Sequence, residues 1–486
     1  MPAILGANSA STGDLITNSC HFNTDAYCEF TPSSGSGSTQ FTMSAWVKNC
    51  GAGALTEDGY IISGKDADNG LKFSSGGSNG KMQFIEYDGG DNSYYIRTNR
   101  LFRDPAAWFH VVLIYDAPDS TAGDRMRLYI NGVRETSFSN EVQLPQDRAH
   151  AGFTRNTVPI RVGANASGSN SRFNGYLADV YFCDGQNYEP SEFGETDGNG
   201  VWIPKKADVS FGTNGFHLEF KETGTSANAA GIGADTSGNG NHFSVSGLDA
   251  TNIGIDTPFN NYCTINSIYT DDGNNMVAAD FSEGNRKQLT TVDGWKFGRG
   301  TFLLEAGKWY VEVKATEAGS GENGRFGLQP SQGGEALGNT DDNDTFEGFN
   351  VGLDSSNTLL QKLDTGSGST IFSDFTSGSI AQLAIDLDND KVWIGRNGTW
   401  YNNNNASTTL SPSNHDIALP SVDLGWVFGF GIPRNGSNNI TFEYNWGNPS
   451  FAISSGNSDA DGHGNFEYAV PSGFFAVNSK NLAEYG

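Results

Sequence analysis

One order of residues occurs twice in this chain: an apolar run, an aspartate with a turn, an alternating segment, then Asn-Gly. At 108–115 the run is WFHVVLIY, followed by Asp116. RMRLYI at 125–130 then sets Met126, Leu128 and Ile130 on one face, and Asn131-Gly132 follows. At 381–401 the order returns. Leu383, Ile385 and Leu387 share one face, Asp388-Asn389-Asp390 turns, Val392 and Ile394 share the next face, and Asn397-Gly398 closes the unit. A period of two is the signature of a strand, whose successive side chains point to opposite sides. Asn-Gly supplies the positive φ that both central positions of a type I′ hairpin turn require. Further segments follow the same rule. Phe41, Met43, Ala45 and Val47 oppose Thr42, Ser44 and Trp46, and Trp309, Val311 and Val313 share a face of WYVEV. YLADVYFC (176–183), WVFGFGI (426–432) and TFEYNW (441–446) are strands as well. The expectation is an all-β protein of two tandem antiparallel β-sandwich, jelly-roll-like domains, not a short-period solenoid. The first spans 1–221 and the second 290–486. Between them, 222–289 is a loop-rich connector carrying GTSANAAGIGADTSGNGN and TDDGNN. Short strands at 217–220 and 242–245 are placed to close the first sandwich.

Composition excludes several functions. The chain has 486 residues, and 29 Lys+Arg against 56 Asp+Glu gives 29 − 56 = −27. That charge opposes binding to nucleic-acid phosphates. The aromatic share of 12% is too high for a disordered acidic chain. No run approaches the roughly 18 apolar residues of a membrane span, so membrane insertion is not expected. The N-terminal MPAILGANSAS has neither a basic nor an apolar signal region, so the expectation is synthesis in a host cytoplasm without a signal peptide. Cys20, Cys28, Cys50, Cys183 and Cys263 are odd in number and lack CxxC spacing, which favours free buried thiols. A Cys20–Cys28 bond stays open, since it needs neighbouring strands.

Candidate chemistry is sparse. Glycoside hydrolysis needs two carboxylates flanking the scissile bond, and no E-x-D-x-(x)-E run sets them on one strand. Glu86-Tyr87-Asp88 lacks the second Glu, and Glu189, Glu192 and Glu195 sit in a turn-rich EPSEFGE. There is no HExxH and no G-x-S-x-G. His110, inside a central strand, reads as a satisfied core or sheet-face residue. Hard cations such as Ca²⁺ seek clustered carboxylate and carbonyl oxygens. Asp341, Asp342 and Asp344 in NTDDNDT, and Asp235 with Asn239 in ADTSGNGN, are the candidates, against the plainer reading that they cap turns. No cofactor is required. For sugar recognition, Trp400 and Tyr401 supply aromatic faces and Asn402 and Asn403 hydrogen bonds, while Trp400 packing under its own loop is the alternative. Trp393 and Tyr129 point away from the inward residues of their hairpins, either lining a face or lying beneath another segment.

SCHFNTDAYCEFTPSS with FTMSAWVK, AAWFHVVLIYD with DRMRLYINGV, and FNGYLADVYFCDG resemble the laminin-G-like, concanavalin A-like lectin superfamily over roughly 15–250. The tail of that block is similar to virion proteins of tailed, especially marine, bacteriophages. GKWYVEVKA and IAQLAIDLDNDKVWIGRNGTWY resemble a SPRY domain over roughly 290–486. The resemblance implies Ca²⁺ at loops as an option. It further implies a non-enzymatic virion-surface appendage, at a tail fibre tip or decorating the capsid, that attaches to host surface glycan or protein. Its partners would be other virion proteins and copies of itself in a symmetric homo-oligomer, a trimer by preference. The alternatives are a structural protein cementing neighbouring subunits and a polysaccharide-degrading enzyme on the same fold.

Overall fold

The computed structural model describes residues 16–23, 25–51, 58–65, 69–76, 80–87, 93–167, 171–268, 281–288, 294–318, 324–331, 349–353, 359–363, 369–373, 375–402, 405–407, 410, 415–435 and 438–486. Strand makes up 45% and helix 5%, so the molecule is nearly all-β, as the alternation predicts. It folds as two compact units that divide between Phe259 and Asn260.

The first unit is a sandwich of two antiparallel eight-stranded sheets. At the centre of one sheet, Gln40–Asn49 runs between Trp108–Asp116 and Gly175–Asp184. The other sheet is built around Gly59–Gly64, Asn69–Phe73, Lys81–Tyr87 and Ser93–Leu101. Phe41, Met43, Ala45 and Val47 enter the space between the sheets with Phe109, Val111, Leu113, Met126, Leu128 and Ile130. The predicted inward faces therefore hold. Asn131 and Gly132 adopt φ of 48° and 75°, as the type I′ turn demands.

The stretch 222–289 is divided between the units. Ser244–Ser246 pairs with Tyr27–Phe30, and Ile253–Gly254 with Ser19–Phe22, so the first unit runs on to 259, not 221. Lys287–Gln288 pairs with Asn438–Asn445, so the second begins at 260, not 290. Gly and Asn richness marks turns; it says nothing of which sheet edge the short strands between them complete.

All five cysteines are buried free thiols. Cys20 and Cys28 stand in opposite sheets of the sandwich. Packed sheets lie about 10 Å apart, beyond the usual Cα separation of a disulfide. Burial raises the Cys20 thiol, and the neighbouring Cys28 raises it further. Cys183 is pushed up to about 12 by burial. These thiols pack as small apolar groups.

The second unit is one continuous ladder in two parts, joined through the Trp426–Asn435 and Asn438–Asn445 hairpin. One part carries Gly294–Leu304, Gly324–Pro330 and Phe349–Leu353. The other carries Lys308–Ala318, Ile380–Asp386, Lys391–Arg396 and Thr399–Asn402. Trp309, Val311, Val313, Leu383, Ile385, Val392, Ile394, Phe428, Phe430 and Trp446 share its core. The last forty residues cover the outer face of the second part. Phe466 lies 4.9 Å from Tyr310 and Phe474 6.0 Å from Trp393, ring to ring. Among the described residues no helix is long and apolar enough to cross a membrane.

Glu312 fixes that cover. It is fully buried, and its carboxylate accepts hydrogen bonds from the Glu467 and Tyr468 backbone N–H, the Tyr310 hydroxyl and Asn445 Nδ2, at 2.8–3.1 Å. Burial raises its pKa despite those donors. Glu312→Ala leaves several buried donors without an acceptor. The expected loss is about 3 kcal/mol of stability, read from urea unfolding.

Candidate functional site

Trp400 is only 8% exposed. Its ring stands 6.4 Å from Tyr310, edge to face, beneath the C-terminal cover. That is the packing alternative, and it leaves no open face for a sugar. Tyr401 alternates to the opposite side, packs against the core and accepts a hydrogen bond from Arg396 at 3.3 Å. The Asn402 backbone pairs with Asn405; the Asn402 side chain and Asn403 lie outside the described residues. So do Asp341, Asp342 and Asp344. Tyr129 and Trp393, at 9% and 5% exposure, are both covered by other segments.

Asp235 and Asn239 are described, and both hold a loop together. Asp235 Oδ1 accepts from the His217 and Ser237 backbone N–H, both at 2.9 Å. Its Oδ2 accepts from the Ser237 hydroxyl at 2.9 Å and the Asn241 backbone N–H at 2.8 Å. A carboxylate offers about four acceptor positions, and protein donors take all of them. Asn239 Nδ2 donates to the Gly212 and Gly215 carbonyls at 2.7 and 2.9 Å. Among the described residues no group of three His, Cys, Asp or Glu side chains is arranged to hold a metal ion.

What this loop does is present Thr236 to His217. Phe216–Leu218 pairs with the edge of Gly175–Asp184, Tyr181 opposite His217. Phe216 and Leu218 point into the core, so the pleat turns His217 outward. There it stacks on Tyr181 at 3.9 Å and 14°. The register of Gly175–Asp184 shifts between Ala178 and Tyr181, and Asp179 takes a φ of 53°. Left-handed backbone costs a non-glycine residue energy, least for Asn and Asp. Here it brings Asp179 Oδ1 within 2.6 Å of His217 Nε2. Thr236 Oγ1 sits 2.9 Å from His217 Nδ1, and its N–H donates to the His217 carbonyl at 2.9 Å. Glu219, just past the end of that strand, hydrogen-bonds Thr236 and is paired with Lys221 Nζ at 2.7 Å. Burial alone would raise the Glu219 carboxyl; the Lys221 bond, His217 and Thr236 together hold it below its ordinary value.

The array is therefore carboxylate, imidazole, hydroxyl, carboxylate, with an aromatic floor. With Nε2–H donating to Asp179, the neutral imidazole accepts the Thr236 proton at Nδ1. Thr236 also hydrogen-bonds the Glu219 carboxylate. Side chains that exchange donor and acceptor roles in this way suit a polyhydroxylated partner. Sequence reasoning missed Asp179, His217, Glu219 and Thr236. Two signals were present: the i, i+2 spacing of His217 and Glu219 in FHLEF, and Asp179 breaking an apolar run.

The outward face of the first sheet is not open. Thr42 Oγ1 accepts from the Tyr188 N–H and donates to the Gln186 carbonyl, both at 2.9 Å, tying 185–220 across it. Phe193 and Phe211 from this strap pack on Tyr181. His110, 1% exposed, stacks on Trp46 at 5.0 Å and lies edge to edge with Trp202, ring centroids 6.0 Å apart. Trp202 Nε1–H donates to His110 Nδ1 at 3.1 Å, so Nε2 carries the imidazole proton and donates to Ser44 Oγ at 2.7 Å. That polarity is the reverse of a general base on a serine. Burial lowers the His110 pKa to about 3. The acids considered for hydrolysis are dispersed. Glu86 is buried and binds Tyr115, Arg148 and the Ala151 N–H; Glu189 pairs with Arg127 at 3.1 Å; Glu195 is exposed in a hairpin; and Asp88 is outside the described residues.

Residues 22–186 match the Laminin_G_3 family, described as the concanavalin A-like lectin/glucanases superfamily. The matched residues lie within the first unit. A comparison with curated proteins gives no match. Among solved structures, the chain is similar to the SPRY domain of human HERC1, at 11% identity, covering 33% of this chain and 87% of that one, with a TM-score of 0.24. It is similar to a Bacteroides ovatus protein described as a candidate carbohydrate binding protein (14% identity, 49% of this chain, 59% of that one, TM-score 0.29). It is also similar to a heptameric SAP-like pentraxin from Limulus polyphemus (16% identity, 36% and 80%, TM-score 0.26). The chain thus spans less than two thirds of the Bacteroides protein.

Proposed function

We propose that this protein is a non-enzymatic carbohydrate-binding protein displayed on a phage virion, where it attaches the particle to glycan on the host surface. The observation that carries the reading is the array at Asp179, His217, Thr236 and Glu219, set on a sandwich of the lectin/glucanase superfamily. Sugar hydroxyls donate to carboxylates and accept from imidazole and hydroxyl groups; rigid strands keep those groups in place. Weak single sites suffice on a particle that repeats them, because linked copies multiply affinity. The net charge of −27 favours neutral over acidic glycans.

A glycan array with the intact protein tests this reading. Binding to neutral host-envelope glycans is expected, unchanged by EDTA. Asp179→Asn, which tolerates the same backbone, and Glu219→Gln are each expected to weaken binding about tenfold or more, since a lost charged hydrogen bond is worth about 1.5–3 kcal/mol. Binding to no glycan overturns the reading. Release of reducing sugars would replace it with hydrolysis.

A further inference from the structure

We draw no further inference here: the strongest candidate, the buried Gln329 amide on the outward face of the strand Gly324–Pro330 in the second unit, has neither of its polar atoms paired among the described residues, and it carries nothing because nothing in the structure shows what covers it.

Discussion

Asp256→Ala is expected to destabilise the first unit by about 3–5 kcal/mol, the cost of breaking a buried ion pair from one side. Asp256 and Lys48 are both wholly inaccessible to solvent. Asp256 Oδ2 binds Lys48 Nζ at 2.7 Å and its Oδ1 accepts from Trp108 Nε1 at 2.7 Å. Its backbone carbonyl takes the Ser19 hydroxyl proton at 2.6 Å. One aspartate thus ties the 253–259 segment to two central strands. Truncating it leaves an ammonium in the interior without its carboxylate and an indole N–H without its acceptor. A domain's whole stability is about 5–15 kcal/mol, so a large drop in urea midpoint is expected. Lys48→Met with Asp256→Leu removes both charges together and is expected to recover most of the loss. A loss below 1 kcal/mol for Asp256→Ala would show that the pair does not hold the segment.

Stability of the first unit is also expected to collapse in acid, through two histidines. His110 and His150 are buried neutral, with pKa values lowered to about 3 and about 4, in each case chiefly by desolvation. His150 Nδ1 accepts from the Gly152 and Phe153 N–H at 2.9 and 3.1 Å, and its ring is surrounded by Phe41, Phe84, Tyr115 and Phe153. In the unfolded chain both rings titrate near 6.5. Below that pH the unfolded state binds protons that the folded state refuses, so stability falls as pH falls. The contribution is intact above about 6.5. It drains away towards the folded values, at about 1.4 kcal/mol per pH unit for each ring. By pH 4 the two together remove about 6 kcal/mol, the His150 share levelling off as pH reaches its folded value. Urea midpoints from pH 7 to 4 check this. His150→Asn, whose amide oxygen can take over the Nδ1 role, is expected to roughly halve the slope. A flat profile would mean that neither ring is buried neutral.

Much of the fold was legible in the residues. The inward set Phe41, Met43, Ala45, Val47 follows from alternation alone, as does its counterpart Trp309, Val311, Val313. Asn131-Gly132 and Asn397-Gly398 announced their hairpins because few other residue pairs accept two positive φ angles. The outward faces were not legible. Trp46, Tyr129 and Trp393 alternate away from the core and would be read as open. They are covered by 185–220 and by the last forty residues, segments whose Gly, Pro and Asp content looks like surface loop. The candidate site was hardest to find. His217 and Asp179 are 38 residues apart, and a register shift in one strand brings them together. Asp235, singled out as a cation ligand, is instead saturated by N–H and O–H donors from its own loop.

Sequence by itself determined the fold class of the protein: period-two alternation with paired turn residues admits antiparallel sheet and little else. Tertiary structure alone decided which strands share a sheet, where the chain divides, and which polar groups meet. Those outcomes depend on contacts between residues tens to hundreds of positions apart, such as Lys48 with Asp256 and His110 with Trp202. Strand patterning constrains which way a side chain points, and it carries no information about what arrives on the other side.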